Sequence, residues 1–157
     1  MSPKLSRRNF IKANSALLGF QILPSGLFSN PPSSRLCTAH IGVDGKGYTD
    51  TSQIADDPRT QVIGLCDVDL NRLNGMGPKN PNSERPPLSF PSARKFQDYR
   101  EMLHELDDKI DAVSISTPDH THYPATLAAM EKGKHVYTQK PLTNNIEEAR
   151  HLMKVAR

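Results

Sequence analysis

Residues Cys37–Asp50 read CTAHIGVDGKGYTD. The run Leu36–Ile41 reads as a strand, and Gly42, Gly45 and Gly47 follow it within six residues. A strand that turns on glycines into a helix is how a parallel α/β sheet begins. The spacing G-x-G-x-x-G at that turn lets the backbone approach the pyrophosphate of a dinucleotide. Gly42 and Gly47 hold the first and third positions, with Val43 between, but Asp44 holds the second. A carboxylate about 5 Å from a phosphate charge costs about 3 kcal/mol at an effective dielectric of ~20. That corresponds to an affinity loss on the order of 100-fold. Lys46, or an outward rotamer of Asp44, would relieve part of it.

Working outward, the same alternation recurs. A weak helix pattern around Thr49–Ala55 ends at Pro58, and QVIGLCDV, Gln61–Val68, has the unbroken apolar character of a buried strand. Residues 71–92 hold five prolines, two glycines and four asparagines, a composition that predicts no regular helix. Asp98 and Glu101 have capping-box spacing, and Tyr99, Met102, Leu103 and Leu106 line one helical face. IDAVSIS, Ile110–Ser116, is the next strand, ended by Pro118 and the polar run DHTH. Pro124–Lys132 reads as a helix stopped by Gly133, and His135–Gln139 as a strand. A last helix begins near Asn144, with Ile146, Ala149, Met153 and Ala156 as its apolar stripe. Strands alternating with helices predict an α/β fold: a doubly wound, Rossmann-type parallel sheet over residues 36–157, with helices on both faces. Thr38 and His40 sit on alternate positions of the first strand, where a buried sheet would hold apolar residues.

Ligands of such sheets bind beyond the carboxyl ends of the strands. Asp67 ends the second strand 20 residues after Gly47, where an acidic residue binds ribose hydroxyls. STPDHTH, Ser116–His122, follows the third strand, and Thr117 offers a hydroxyl on a loop stiffened by Pro118. TQKPLT, Thr138–Thr143, follows the next and puts Lys140 at the cleft mouth, where a lysine can orient a hydroxyl or share its proton. His120 and His122 lack a third ligand at suitable spacing, so no metal site is expected. Cys37 and Cys66, the only cysteines, fit no disulfide framework and are expected buried and reduced.

The net charge of +3 comes from the N-terminus. Residues 1–30 carry Lys4, Arg7, Arg8 and Lys12 and no acid; the remainder holds 16 basic and 17 acidic residues, a net charge of −1. That is no footprint for nucleic acid. SRRNFIK, Ser6–Lys12, precedes a short apolar run, Ala16–Leu23, and matches a twin-arginine export signal. Residues 1–30 are therefore read as a signal handed to the twin-arginine translocase, residues 31–35 as a linker, and the destination as the periplasm or another extracytoplasmic space.

The segments DYREML, IDAVSISTPDHTHYPATLAAMEKGKHVYTQKPLT and EEAR resemble the N-terminal half of the glucose–fructose oxidoreductase, inositol dehydrogenase and rhizopine-catabolism family (Gfo/Idh/MocA). The resemblance spans about residues 36–157 and is strongest from Asp98 onward. It implies a Rossmann domain that binds NAD or NADP and an oxidoreductase acting on a sugar or cyclitol hydroxyl. It implies that Gly42, Val43, Asp44, Gly45 and Gly47 meet the pyrophosphate and that Asp67 takes the adenosine ribose, which favours NAD. Thr117, Pro118 and His122 would line the cofactor cleft. Lys140 would stand near the nicotinamide ribose and the reacting hydroxyl as the catalytic lysine, with Gln139 in place of the family's usual glutamate. The family pattern continues with a further strand and a second domain that contacts substrate and forms homo-oligomers. Chain end at Arg157, inside the last helix, therefore predicts an incomplete sheet and a truncated reading frame. Two further readings follow: a non-catalytic remnant with weak or no cofactor binding, and the cofactor domain of an NAD-dependent glycoside hydrolase that oxidises its substrate transiently.

Overall fold

The structure is a computed structural model and describes residues 35–74 and 89–157. The expected export signal, the expected linker up to Ser34 and most of the proline-rich stretch lie outside the described residues.

Among the described residues, ten elements follow one another: β1 (Leu36–Ile41), α1 (Lys46–Ala55), β2 (Thr60–Cys66), α2 (Leu70–Leu73), β3 (Arg94–Phe96), α3 (Tyr99–Glu105), β4 (Ala112–Ile115), α4 (Asp119–Glu131), β5 (His135–Thr138) and α5 (Ile146–Val155). The strands form one parallel sheet in the order β3-β2-β1-β4-β5. The order doubles back at β1, so the chain winds out in both directions from its first strand, the Rossmann-type arrangement expected.

Alternation along the strands separates two cores. Ala39, Ile41, Val113 and Ile115 pack with Met102 and Leu103 of α3 and Ala125 and Ala129 of α4. Val62 and Leu65 face the other way, with Val43, Leu73 and Ala93. The register slips between Thr38 and Ala39, leaving Ile63 as an extra residue in β2. This bulge turns both Ile63 and Gly64 toward the α3 side. A Cβ on Gly64 would lie 3.0 Å from Leu106 and 3.1 Å from Met102. Thr38 and His40 are buried without breaking β1: Thr38 Oγ1 and His40 Nε2 are 3.0 Å apart, and the Thr38 hydroxyl also reaches the Gln61 carbonyl. Each polar group is partly satisfied within the strand pair, which is why this central strand tolerates them.

Several boundaries differ from expectation. α1 begins at Lys46, three residues before the apolar pattern does, because Gly45 caps it. A single turn, α2, forms inside the glycine- and asparagine-rich stretch, since the Asp69 side chain accepts the Asn71 N–H at 2.9 Å. β3, hidden beside the prolines, pairs with Gly64–Cys66 of β2. α4 begins at Asp119 rather than Pro124, so DHTH is its first turn and Pro124 lies within it. A proline there removes one N–H but leaves the rest of the ladder. α5 ends at Val155, before the chain end, and is capped by Asn145, whose Oδ1 accepts the Glu148 N–H at 2.8 Å. Its expected stripe is not buried: α5 packs toward α4 and its buried residue is Leu152, while Ile146 and Met153 are 66% and 53% exposed. Cys66 is buried and Cys37 only half-buried; both are free.

Candidate cofactor site at the carboxyl edge of the sheet

The sheet's hydrogen bonding continues one residue past each strand. Asp67 N–H donates to Phe96 O (3.1 Å), Gly42 N–H to Cys66 O (2.8 Å), Ser116 N–H to Ile41 O (2.8 Å) and Gln139 N–H to Ile115 O (2.9 Å). The residues singled out from sequence therefore begin along one edge: Asp67, the glycine turn, the Ser116–Pro118 loop and the Gln139–Lys140 loop.

The turn is built on backbone conformations open to glycine. Gly42 has φ +80° and Gly45 φ +55°. A Cβ on Gly42 would lie 2.6 Å from Ser116 O, and one on Gly47 would overlap the Gly42 carbonyl oxygen. Gly47 N–H closes the turn onto Asp44 O at 2.9 Å, and α1 starts at Lys46 with no acid in its first turn. The positive end of the helix dipole thus lies at the turn, as an anionic ligand requires.

Asp67 is buried and reaches directly into this turn. Its Oδ2 accepts the Val43 N–H at 3.2 Å and its Oδ1 accepts the Asp69 N–H at 3.0 Å. The neighbouring Cys66 thiol is pushed up to about 12, first by burial and then by the negative charges of Asp67, Asp98 and Glu101. It is accordingly a packing residue rather than a nucleophile.

Asp44 is partnered differently from expectation. Lys46 turns away from it, donating to Asp50 one helical turn on. Arg72 of α2 takes that place instead, its Nε 3.7 Å from Asp44 Oδ2 and 3.4 Å from Asp69 Oδ2.

Across the turn, Thr117 Oγ1 is buried and lacks a hydrogen-bond partner. Pro118 caps α4. His122 is 1% exposed, with Nε2 2.9 Å from Thr117 O and Nδ1 2.6 Å from Pro141 O. It braces the two loops from beneath. Lys140 is exposed; its backbone N–H donates to Gln139 Oε1 at 3.3 Å. An unpartnered buried hydroxyl, two glycines with no room for a side chain and a helix start fit a ligand with an anionic centre and hydroxyl groups, as a dinucleotide has. Among the described residues, no three His, Cys, Asp or Glu side chains converge to hold a metal ion. His120 is exposed and both ring nitrogens of His122 already face carbonyls.

One group of residues went unread in the sequence. Asp50, 4% exposed, accepts from Lys46, from Ser116 Oγ at 2.7 Å and from Gln139 Nε2 at 2.9 Å. Burial alone would raise its carboxyl; those hydrogen bonds and the Lys46 charge outweigh it and hold the carboxyl below its usual range. Only the Lys46–Asp50 spacing was visible beforehand. A cavity of about 430 Å³ lies beside this group, lined by Thr38, His40, Asp50, Ser114, His135 and Tyr137. It opens on the α1 face of the sheet and includes neither the glycine turn nor Asp67.

Residues 37–157 match the model of an oxidoreductase family with an NAD-binding Rossmann fold, Gfo/Idh/MocA. Glycosyl hydrolase family 109 protein 2 of Akkermansia muciniphila is 31% identical over 125 residues, which is 78% of this chain and 25% of that protein. Among solved structures, GenD2 from gentamicin A biosynthesis in complex with NAD is 26% identical with a TM-score of 0.61, covering 78% of this chain and 32% of that one. The myo-inositol 2-dehydrogenase of Lactobacillus plantarum is 25% identical with a TM-score of 0.60, covering 78% and 33%. The chain thus spans a quarter to a third of the length of these relatives.

Proposed function

From the premise that this chain belongs to the Gfo/Idh/MocA oxidoreductase family, whose NAD-binding domain it carries over residues 37–157, we propose that it binds NAD along the carboxyl edge of its sheet. We propose further that it forms the cofactor half of an oxidoreductase acting on a sugar or cyclitol hydroxyl. The observation that carries the first reading is the contact between the Asp67 carboxylate and the Val43 N–H, which brings the acidic strand end to the glycine turn. Asp67 keeps lone pairs for two ribose hydroxyls, and its charge disfavours the 2′-phosphate of NADP. The pyrophosphate would lie against the turn from Gly42 to Gly47, with Arg72 neutralising part of the Asp44 charge. Thr117 would give its hydroxyl to the cofactor, Pro118 would shape the loop, and His122 would hold both loops in place. NAD, when bound, supplies a hydride acceptor. Lys140 would stand at the substrate hydroxyl and hold or take its proton. Residues 1–30 would direct export to the periplasm, on the strength of Arg7, Arg8, Phe10 and Lys12.

Titration of the full chain with NADH, followed by nucleotide fluorescence, tests the cofactor reading. Saturable binding is expected, and Asp67→Ala should weaken it about tenfold or more, the worth of charge-assisted hydrogen bonds. Asp44→Gly should tighten it, by less than the ~100-fold of an unpaired carboxylate because Arg72 already screens that charge. No binding at millimolar NADH would overturn the reading. The glycoside hydrolase relative favours a second activity for the same half-site, a glycosidase that oxidises its substrate transiently. Assay of an N-acetylated or simple glycoside against a free cyclitol, with NAD present, separates the two.

A further inference from the structure

Asp50 and Gln139 are 89 residues apart in sequence yet meet at 2.9 Å, Gln139 Nε2 donating to Asp50 Oδ2. The same amide nitrogen also lies 3.2 Å from Tyr137 Oη, and the amide oxygen accepts the backbone N–H of Lys140 at 3.3 Å. Gln139 therefore uses both ends of its amide: one faces the Asp50 carboxylate, the other holds the peptide of Lys140. Asp50 in turn is fixed by Lys46 on its own helix and by Ser116 at the end of β4. A glutamate at position 139, ionised, could accept from Lys140 but could not donate to Asp50. It would set a second carboxylate against the buried Asp50 in a part-buried place, where like charges repel.

We propose that Asp50 and Gln139 form a matched pair that positions Lys140 against the glycine turn, the buried carboxylate on α1 requiring an amide at position 139. Gln139 is thus a positioning residue fitted to Asp50, and Asp50 is a positioning residue that acts through it. The role given to Lys140 rests on the cofactor reading above; the pairing itself does not.

The test uses the full chain and the Gln139→Glu and Asp50→Asn/Gln139→Glu variants. Protection of the Lys140 amide against hydrogen exchange is measured without cofactor by NMR, and NADH affinity in parallel. The groups facing position 139 are Asp50 from α1 and Tyr137 from β5, while Lys46 of α1 and His40 of β1 face Asp50. His40 is held at about 4 by burial, against an opposing pull from Asp50, and so stays neutral above about pH 5. At about pH 8, Gln139→Glu should lose Lys140 protection about tenfold, because the charge-assisted bond from residue 139 to Asp50 fails and repulsion turns the side chain away from Lys140. Protection should return toward about pH 5, where the new carboxyl, raised by Asp50, protonates and donates as the amide did. The double variant should restore protection at about pH 8, because the amide introduced on α1 can donate to the carboxylate introduced after β5. Unchanged protection in Gln139→Glu at that pH, or a loss that neither acid nor the second substitution reverses, overturns the pairing. If Gln139→Glu does not fold, the double variant decides alone: an unprotected Lys140 amide in it refutes the proposal. Absence of NADH binding in the wild-type chain would remove the cofactor reading and leave the amide result to judge the pair.

Discussion

A methyl group added at Gly47 would overlap the carbonyl oxygen of Gly42, a backbone atom that cannot swing aside. Gly47→Ala should therefore force the turn open and lower stability by about 3 kcal/mol. Urea unfolding would measure it, and a loss under 1 kcal/mol, roughly the Gly-to-Ala propensity gain on a helix, would mean that the turn relaxes easily. Gly42, Gly47 and Asp67 were legible because their positions relative to a strand end follow from a fixed backbone geometry. The partner of Asp44 was not. Lys46 was nearer in sequence, but the i,i+4 geometry of α1 aims it at Asp50, and Arg72 arrives from a turn that composition alone argued against. Asp50 and Ser116 were invisible for a similar reason: they meet across 66 residues, and no local pattern announces a long-range hydrogen bond.

At the level of elements, β1 should carry a pH response. His40 lies within it, 1% exposed, Nδ1 without a hydrogen-bond partner, its imidazole lowered to about 4 by burial despite the nearby Asp50 charge. The unfolded chain would protonate the same ring near pH ~6.5. The native state thus binds fewer protons in between, and its stability, complete above about 6.5, should fall as pH drops toward 4. The loss at the lower end is about 3 kcal/mol. Unfolding free energies measured across this window should show that slope, and His40→Leu should flatten it. An equally steep slope in the variant would assign the response elsewhere. Strands β1, β2, β4 and β5 and the buried face of α3 were readable because their apolar periods are regular. β3 was missed because three residues beside prolines carry no period, and the start of α4 because Pro124 imitates a first helical position. The stripe expected on α5 failed because amphipathic spacing specifies a face, not whether anything packs on it.

For the whole molecule, the export proposed from Arg7 and Arg8 has a direct test. Arg7→Lys with Arg8→Lys keeps the charge but removes the paired guanidinium groups, and should leave the protein in the cytoplasm. Fractionation of expressing cells reads the outcome, and normal export of this variant would dismiss the signal. Within the described fold, β5 is an outer strand of the sheet, and Tyr137, Leu142, Ile146 and Met153 are exposed. The row of hydrogen bonds from Phe96 through Asp67, Gly42, Ser116 and Gln139 has a different consequence. Strands repeat every ~4.8 Å across a sheet, so the first residues past β2 and β5 stand about 14 Å apart along this edge. On the cofactor reading proposed above, the edge would work as a ruler. A nucleoside held at Asp67 would fall short of the loop after β5, and an elongated ligand with two well-separated ends would engage both. Length, set by the count of strands between them, would then be a criterion of selection that no single residue supplies.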